Sequence, residues 1–323
     1  MVLVLSDANV GDLLDLGALA PVVERALVEQ GAGNVERPER PHYPVGEGLE
    51  SPDEFGTGLA MPAYVHGEPY FATKLVGVHP DNPERGLPTI HAQIVVADAR
   101  TGEPKAFLNG ERVTNARTGC IGGLAARELA VEPVRLGVLG AGAQARWQTR
   151  AIDALTDVER VSVYSPSDSR EACASDLRER GIDATAVDSA SAAVADANVV
   201  VTATTSDEPV FAAADLQPGT LVVAVGAFNA EMQELEPETF DRAARVFADV
   251  PEEVAAIGDL TATGLDEDDL IPLSDALGGE AGRETDDEIL VVESVGSAVL
   301  DAAAAAHVYD AAVDAGAGTD VAF

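Results

Sequence analysis

Val134-Arg135-Leu136-Gly137-Val138-Leu139-Gly140-Ala141-Gly142-Ala143-Gln144-Ala145 runs from a short apolar segment through G-x-G-x-x-A into a helical pattern. Each small residue has a task in a strand, turn and helix of this kind. Gly140 permits the tight turn, Gly142 lets a pyrophosphate reach the backbone, and Ala145 lets helix and strand pack closely. The anion then rests on the helix N-terminus, where N–H groups and the helix dipole favour it. An isolated G-x-G-x-x-A is common, so its weight comes from context. Apolar runs at 161–164, 199–203, 221–225 and 246–247 alternate with helical segments at 145–155, 170–180 and 189–195. That rhythm predicts an α/β domain over residues 121–295, a doubly wound parallel sheet of Rossmann type that binds a dinucleotide.

Upstream, the pattern is different. Residues 1–120 show a helical pattern at 10–30, a Pro/Gly/Glu-rich stretch at 37–58, then alternating runs at 60–65, 70–76 and 91–98. Gly67, the segment 80–88 and Thr101-Gly102-Glu103 punctuate those runs where antiparallel strands reverse. This predicts a smaller α+β domain. An Ala-rich helical pattern at 296–315 returns to it, so that 296–323 completes 1–120. A length of 323 residues suits two such domains, and no internal repeat is present.

An acid at the end of the second Rossmann strand binds the adenosine ribose hydroxyls and selects NAD(H). Here that run ends at Tyr164 and continues Ser165-Pro166-Ser167-Asp168-Ser169-Arg170, with no carboxylate in the first position. Ser165, Ser167 and Arg170 suit a 2′-phosphate, so the reading leans to NADP(H) over NAD(H). Asp168 keeps NAD(H) open, and a solvated turn with a helix cap is the plainer alternative. A second residue stands out by rarity. Of 20 basic residues only Lys74 and Lys105 are lysines, and Lys74 lies inside the apolar Tyr70-Phe71-Ala72-Thr73-Lys74-Leu75-Val76. Burial lowers the pKa of an amine, which suits acid/base work on an amino nitrogen or an imine. The alternative is an edge-strand lysine whose ammonium reaches water.

Lys74-Leu75-Val76 with His79-Pro80-Asp81-Asn82, Gly86-Leu87-Pro88-Thr89, Asp98 with Thr101-Gly102, Thr114 with Arg117-Thr118, Gly140-Ala141-Gly142-Ala143-Gln144 and Ser294-Val295-Gly296 follow in that order. Over nearly its whole length the chain resembles the ornithine cyclodeaminase and mu-crystallin family, which includes archaeal-type alanine dehydrogenases and ketimine reductases. The resemblance implies a homodimer whose first domain supplies the substrate-binding and dimerisation surfaces and whose second binds NAD(P)H. It implies that Arg40 and Arg117 clamp a substrate carboxylate, a task for planar guanidinium forks, and that Lys74 is the acid/base. It also places Thr89, Arg117, Gly140, Gly142, Ala143, Gln144, Ser165, Thr204, Val225 and Ser294 against the cofactor.

One departure bears on the reaction. Cyclodeaminases carry an aspartate shortly after the glycine of the fifth Rossmann strand, for the substrate's distal amine; after Val225-Gly226-Ala227 this chain has Phe228. Dehydrogenase and reductase members place a catalytic acid three residues further on, where Glu231 stands, although Glu231 also fits a surface carboxylate in an acidic chain. The expectation is an L-alanine dehydrogenase or imino acid reductase that moves a hydride between the substrate α-carbon and nicotinamide. An ornithine cyclodeaminase, and a non-catalytic small-molecule-binding protein of the mu-crystallin kind, are the alternatives.

Composition bounds the setting. Hydrophobic residues at 46% suffice for folded cores. With 56 acidic against 20 basic residues the net charge is −36, which repels nucleic acid and anionic membranes and argues against both as partners. Cys120 and Cys173 form no C-x-x-C pair and the five histidines are scattered, so no metal site is expected. Residues 1–5 meet Ser6 and Asp7 without the flank or length of a signal peptide, and no apolar stretch approaches a membrane span, so a cytoplasmic protein is expected. Dense carboxylates, scarce lysine and 4% aromatics resemble haloarchaeal cytosolic proteins. Concentrated salt screens the repulsion, the Debye length being about 3 Å at about 1 M against about 10 Å at about 0.1 M. Dialysis from molar salt to about 0.1 M is therefore expected to lower the melting temperature; an unchanged calorimetric transition would remove the salt-adapted reading.

Overall fold

Strands buried on both faces lose their alternation and become runs of valine, and the Rossmann half of this chain is built on such runs. In the computed structural model, which describes residues 1–49 and 53–322, its sheet runs Ala184–Ala186, Val158–Tyr164, Val134–Leu139, Val199–Thr202, Leu221–Ala224, Leu290–Glu293, Arg245–Ala248, Ile271–Pro272. Every neighbour is parallel. The helices Ala143–Leu155, Ser169–Arg178 and Ala190–Val194 take the crossover positions. Strand order reverses beside Val134–Leu139, with Val158–Tyr164 on one side and Val199–Thr202 on the other, the switch point at which such sheets receive ligands. Leu290–Glu293, absent from the sequence reading, fits between Leu221–Ala224 and Arg245–Ala248.

Beyond the strand ends, buried carboxylates tie the loops. Glu234 accepts from Thr202 Oγ1 (2.9 Å), the Thr204 N–H (2.6 Å) and Oγ1 (2.7 Å), and the Gly226 N–H (2.8 Å). Burial pushes its carboxyl above the ordinary value, against the pull of those donors. Asp259 Oδ1 accepts from the backbone of Glu234 and Leu235, at 2.7 and 2.8 Å. Asp249 accepts from Ser294 Oγ (2.7 Å) and from the N–H groups of Val295 and Gly296 (3.1 and 2.8 Å).

The other unit comprises Met1–Asp15, Ala32–Arg117 and the chain from Ala298 onward. Its mixed sheet runs Thr319–Val321, Val2–Leu5, Pro104–Asn109, Ile90–Asp98, Tyr70–Val78, Gly56–Val65, Val35–Glu36, with His42–Val45 also paired to Gly56–Val65. Val2–Leu5 and Pro104–Asn109 are parallel and the other pairs antiparallel. Register places Met61, Lys74, Ile94 and Leu108 in one row across four strands. All four are buried, and the helix Ala298–Ala315 packs against this sheet.

Two expectations shift. The helical pattern at 10–30 is two helices, Asp7–Leu13 and Leu16–Gly31, parted where Leu14 turns extended. Leu16–Gly31 also groups with Thr118–Ser297 rather than with the rest of 1–120. Its partners explain this: Glu24 pairs with Arg127, and Gln30 donates to the Asp249 carbonyl and accepts from Ser297 Oγ. Residues 50–52 of the Pro/Gly/Glu-rich stretch lie outside the described residues.

Removing the Glu234 carboxylate would leave its donors unmet, and a buried unmet donor costs about 1–3 kcal/mol. Glu234→Ala should therefore destabilise the fold by roughly 3 kcal/mol or more, read as a lower denaturant midpoint at unchanged slope. A wild-type midpoint would show that the loops do not depend on it.

Candidate active site

Lys74 sits mid-strand in a row that the fold keeps dry, with 4% of its surface exposed. Such an ammonium needs an anion. Asp301, in the first turn of Ala298–Ala315 and 1% exposed, supplies it. Its Oδ2 lies 2.5 Å from Lys74 Nζ and its Oδ1 2.9 Å from Arg117 Nε. Thr114, one turn before Arg117 on the helix Gly110–Leu129, closes the set. It accepts from Lys74 Nζ at 3.3 Å and donates to Asp301 Oδ1 at 3.1 Å. Burial is the largest influence on Lys74 and pulls its pKa down; Asp301 raises it, Arg117 and Arg40 lower it, and the balance falls at about 8. Burial pushes Asp301 up, yet Arg117 and Lys74 together hold it below the ordinary carboxylate value. One anion thus stands among three cations, a positive cluster in a chain of net charge −36. Chemically, it can hold a carboxylate and deliver a proton.

In the Rossmann unit, Gly140 takes φ +115°, and a Cβ there would stand 2.4 Å from the Ala203 carbonyl oxygen. Glycine alone fits that turn. Gly142 precedes Ala143–Leu155 with no side chain capping the helix, and nothing lies within 4 Å of where its own Cβ would be. An uncapped helix start beside open space fits a dinucleotide pyrophosphate. Thr204 and Val225 stand on the loops that Glu234 ties, and buried Ser294 is held by Asp249. Past Val158–Tyr164, Ser169 Oγ lies 3.2 Å from the buried Ser165 Oγ and 2.7 Å from Ser167 Oγ. Arg170 donates to the carbonyls of Ser165 and Ser167 and stands 3.5 Å from Asp188.

Of the residues named from sequence, Lys74 and Arg117 meet in the first unit, with half-buried Arg40 near enough to act on Lys74. Thr89 belongs to the same unit, its carbonyl accepting from the His79 N–H. Gly140, Gly142, Ala143, Gln144, Ser165, Ser167, Arg170, Thr204, Val225 and Ser294 belong to the second. Glu231 is there too, exposed in the turn after the exposed Phe228, and the buried acid of that loop is Glu234. Asp301 and Glu234 are not among the residues that the sequence singles out for the site. Each is one acid among 56, and the only signal for Asp301 is a carboxylate within an apolar helical pattern. Among the described residues, no group of three or more His, Cys, Asp or Glu is arranged for a metal, and no helix is long and apolar enough to cross a membrane.

A Delta(1)-pyrroline-2-carboxylate reductase from one strain of Bacillus cereus is 35% identical over 88% of this chain and 90% of its own. The solved Delta(1)-pyrroline-2-carboxylate reductase of Thermococcus litoralis, in complex with NADH and L-proline, is similar at TM-score 0.92 and 31% identity, covering 99% of this chain and 100% of that one. An archaeal alanine dehydrogenase dimer with bound NAD gives TM-score 0.90 and 29% identity, covering 100% of this chain and 99% of that one. Residues 1–316 match the family description as a whole, and the chain belongs to the ornithine cyclodeaminase/mu-crystallin family.

Proposed function

We propose that this chain is an NAD(P)H-dependent imino acid reductase acting on cyclic imines that carry a 2-carboxylate, with amino acid oxidation as the reverse reaction. The observation that carries the reading is the buried cluster in which Asp301 holds Lys74 and Arg117 together. Such an imine needs the two groups found there: a proton donor for nitrogen and a planar cation for the carboxylate. The similar reductases and the glycine cradle support it. Bound reduced cofactor supplies the hydride. Arg117, with Arg40, holds the carboxylate, and Lys74 gives its proton to the imine nitrogen, so C=N becomes an amine with charge balanced. Fixing both groups in one geometry lowers the entropic part of the barrier. Glu231 is the exposed acid of its loop and so the one able to meet a ligand, whereas the Glu234 carboxylate is taken up by the backbone and threonines.

Phe228, where cyclodeaminases carry an aspartate, stands against ornithine cyclisation. Alanine dehydrogenase is the second reading, supported by the archaeal relative. For the cofactor, Ser165, Ser167 and Arg170 favour NADP(H), Arg170 Nε being buried with no hydrogen-bond partner among the described residues; the NADH and NAD of the solved relatives make NAD(H) the alternative. A homodimer is part of the reading. On the sheet face opposite Lys74, Val4, Phe107, Val95, Thr73 and Pro62 form a row across five strands, with Phe71 and Leu75 exposed beside it. An apolar sheet face of this extent suits a second copy, in a salt-adapted cytoplasmic protein.

Purified protein in molar KCl should sediment at twice the chain mass and oxidise NADPH or NADH with 1-pyrroline-2-carboxylate. Turnover with pyruvate and ammonium alone would move the assignment to alanine dehydrogenase, and turnover with neither would remove it. Because Lys74 must be protonated to give a proton, reductive kcat/KM should fall as pH rises through about 8, and proline oxidation should rise across the same window. Lys74→Ala should lower turnover roughly 10²–10⁴-fold with cofactor binding intact; a rate indifferent to that change would sink its role.

A further inference from the structure

Three donors converge on the Asp301 carboxylate, and what they leave over is informative. Oδ2 takes Lys74 Nζ, while Oδ1 takes Arg117 Nε and Thr114 Oγ1. Lys74 carries three N–H groups; Asp301 and Thr114 take two, and one has no protein partner among the described residues. Arg117 gives its Nε to Asp301, and its two terminal nitrogens have no hydrogen bond to a described residue. These are the donors that a planar imine and its adjoining carboxylate require.

We propose that Asp301 is a positioning residue: a single carboxylate fixes the proton donor and the carboxylate-binding guanidinium to each other, so that their remaining N–H groups address one substrate. The proposal rests on the reading of Lys74 and Arg117 given above. Asp301 is suited to the task because it comes from a separate helix, Ala298–Ala315, almost wholly shielded from water. It also governs when Lys74 holds its proton. The charges facing that ammonium are Asp301 from this helix, Arg117 from Gly110–Leu129 and Arg40 from the segment before His42–Val45. The flanking strands contribute Met61 and Ile94, which do not ionise. Among the described residues, Asp301 is therefore the anion set against two other cations.

A counter-ion with only a structural role and a positioning residue differ in what pH profiles report. The test measures reductive kcat and KM against pH for the wild-type enzyme, Asp301→Asn, Asp301→Glu and Lys74→Ala, with cofactor binding followed by nucleotide fluorescence. Asparagine keeps the shape and loses the charge, so Lys74 should deprotonate earlier and the falling limb should move to lower pH by about 1–3 units. Glutamate keeps the charge and displaces the ammonium, so the limb should stay near the wild-type position of about 8 while kcat falls at least tenfold and cofactor affinity is retained. An Asp301→Asn limb at the wild-type pH, or an Asp301→Glu kcat equal to wild type, would overturn the proposal. If Asp301→Asn does not fold, Asp301→Glu alone decides. Full activity in Lys74→Ala would instead overturn the underlying assignment of the proton donor, and this proposal with it.

Discussion

The contact between Asp301 and Lys74, 2.5 Å across, removes two charges from water at once. Burying an ion costs several kcal/mol even after relaxation, and the attraction of a partner offsets this only when hydrogen bonds complete the geometry. Here they do, since Asp301 receives three donors and Lys74 has two acceptors. Without the carboxylate, a strand that pairs Lys74 with Met61 and Ile94 on its core side would bury a bare ammonium. The Rossmann unit meets the converse problem. Glu234, Asp249, Asp259 and Glu293 are all buried there, and threonine, serine and backbone donors reach the first three. Glu293, whose Oε1 has no hydrogen-bond partner among the described residues, is pushed well above its ordinary value by burial and by the neighbouring carboxylates. One unit thus crowds cations around an acid, and the other crowds acids around neutral donors.

What the sequence discloses divides along physical lines. The glycine turn is legible because its backbone demand is local: φ +115° at Gly140 excludes other residues and leaves its mark in composition. Lys74 is legible because a chain with two lysines seldom spends one inside an apolar strand. Asp301 and Glu234 are hidden by the opposite circumstance, since a carboxylate carries little information where 56 acids crowd the sequence. Glu231 and Glu234 cannot be told apart by type, only by burial. The helix Gly110–Leu129 is hidden for another reason: residues 119–126 are all buried, so no polar face sets a helical period. Leu290–Glu293 is four residues long, too short to rise above its surroundings.

Net charge and ligand charge run against each other in this protein. A carboxylate substrate and a dinucleotide are both anions, and a chain at −36 repels them at a distance. Close range is different in the proposed site, because Lys74 and Arg117 are buried where water is scarce and screening is weak. Added salt shortens the repulsion far more than it weakens the buried contacts. The surface and the site therefore respond to ionic strength with opposite consequences for binding.

The first unit is also discontinuous along the chain. Lys74 and Asp301 lie 227 residues apart, with the whole of Thr118–Ser297 between them. A ribosome adding about 5–20 residues each second emits the Tyr70–Val78 strand well before the helix that must cover it. Until that helix emerges, the sheet lacks the face that packs over it and Lys74 lacks its counter-ion. The cationic cluster is thus complete only once both the intervening segment and the distal helix have been made.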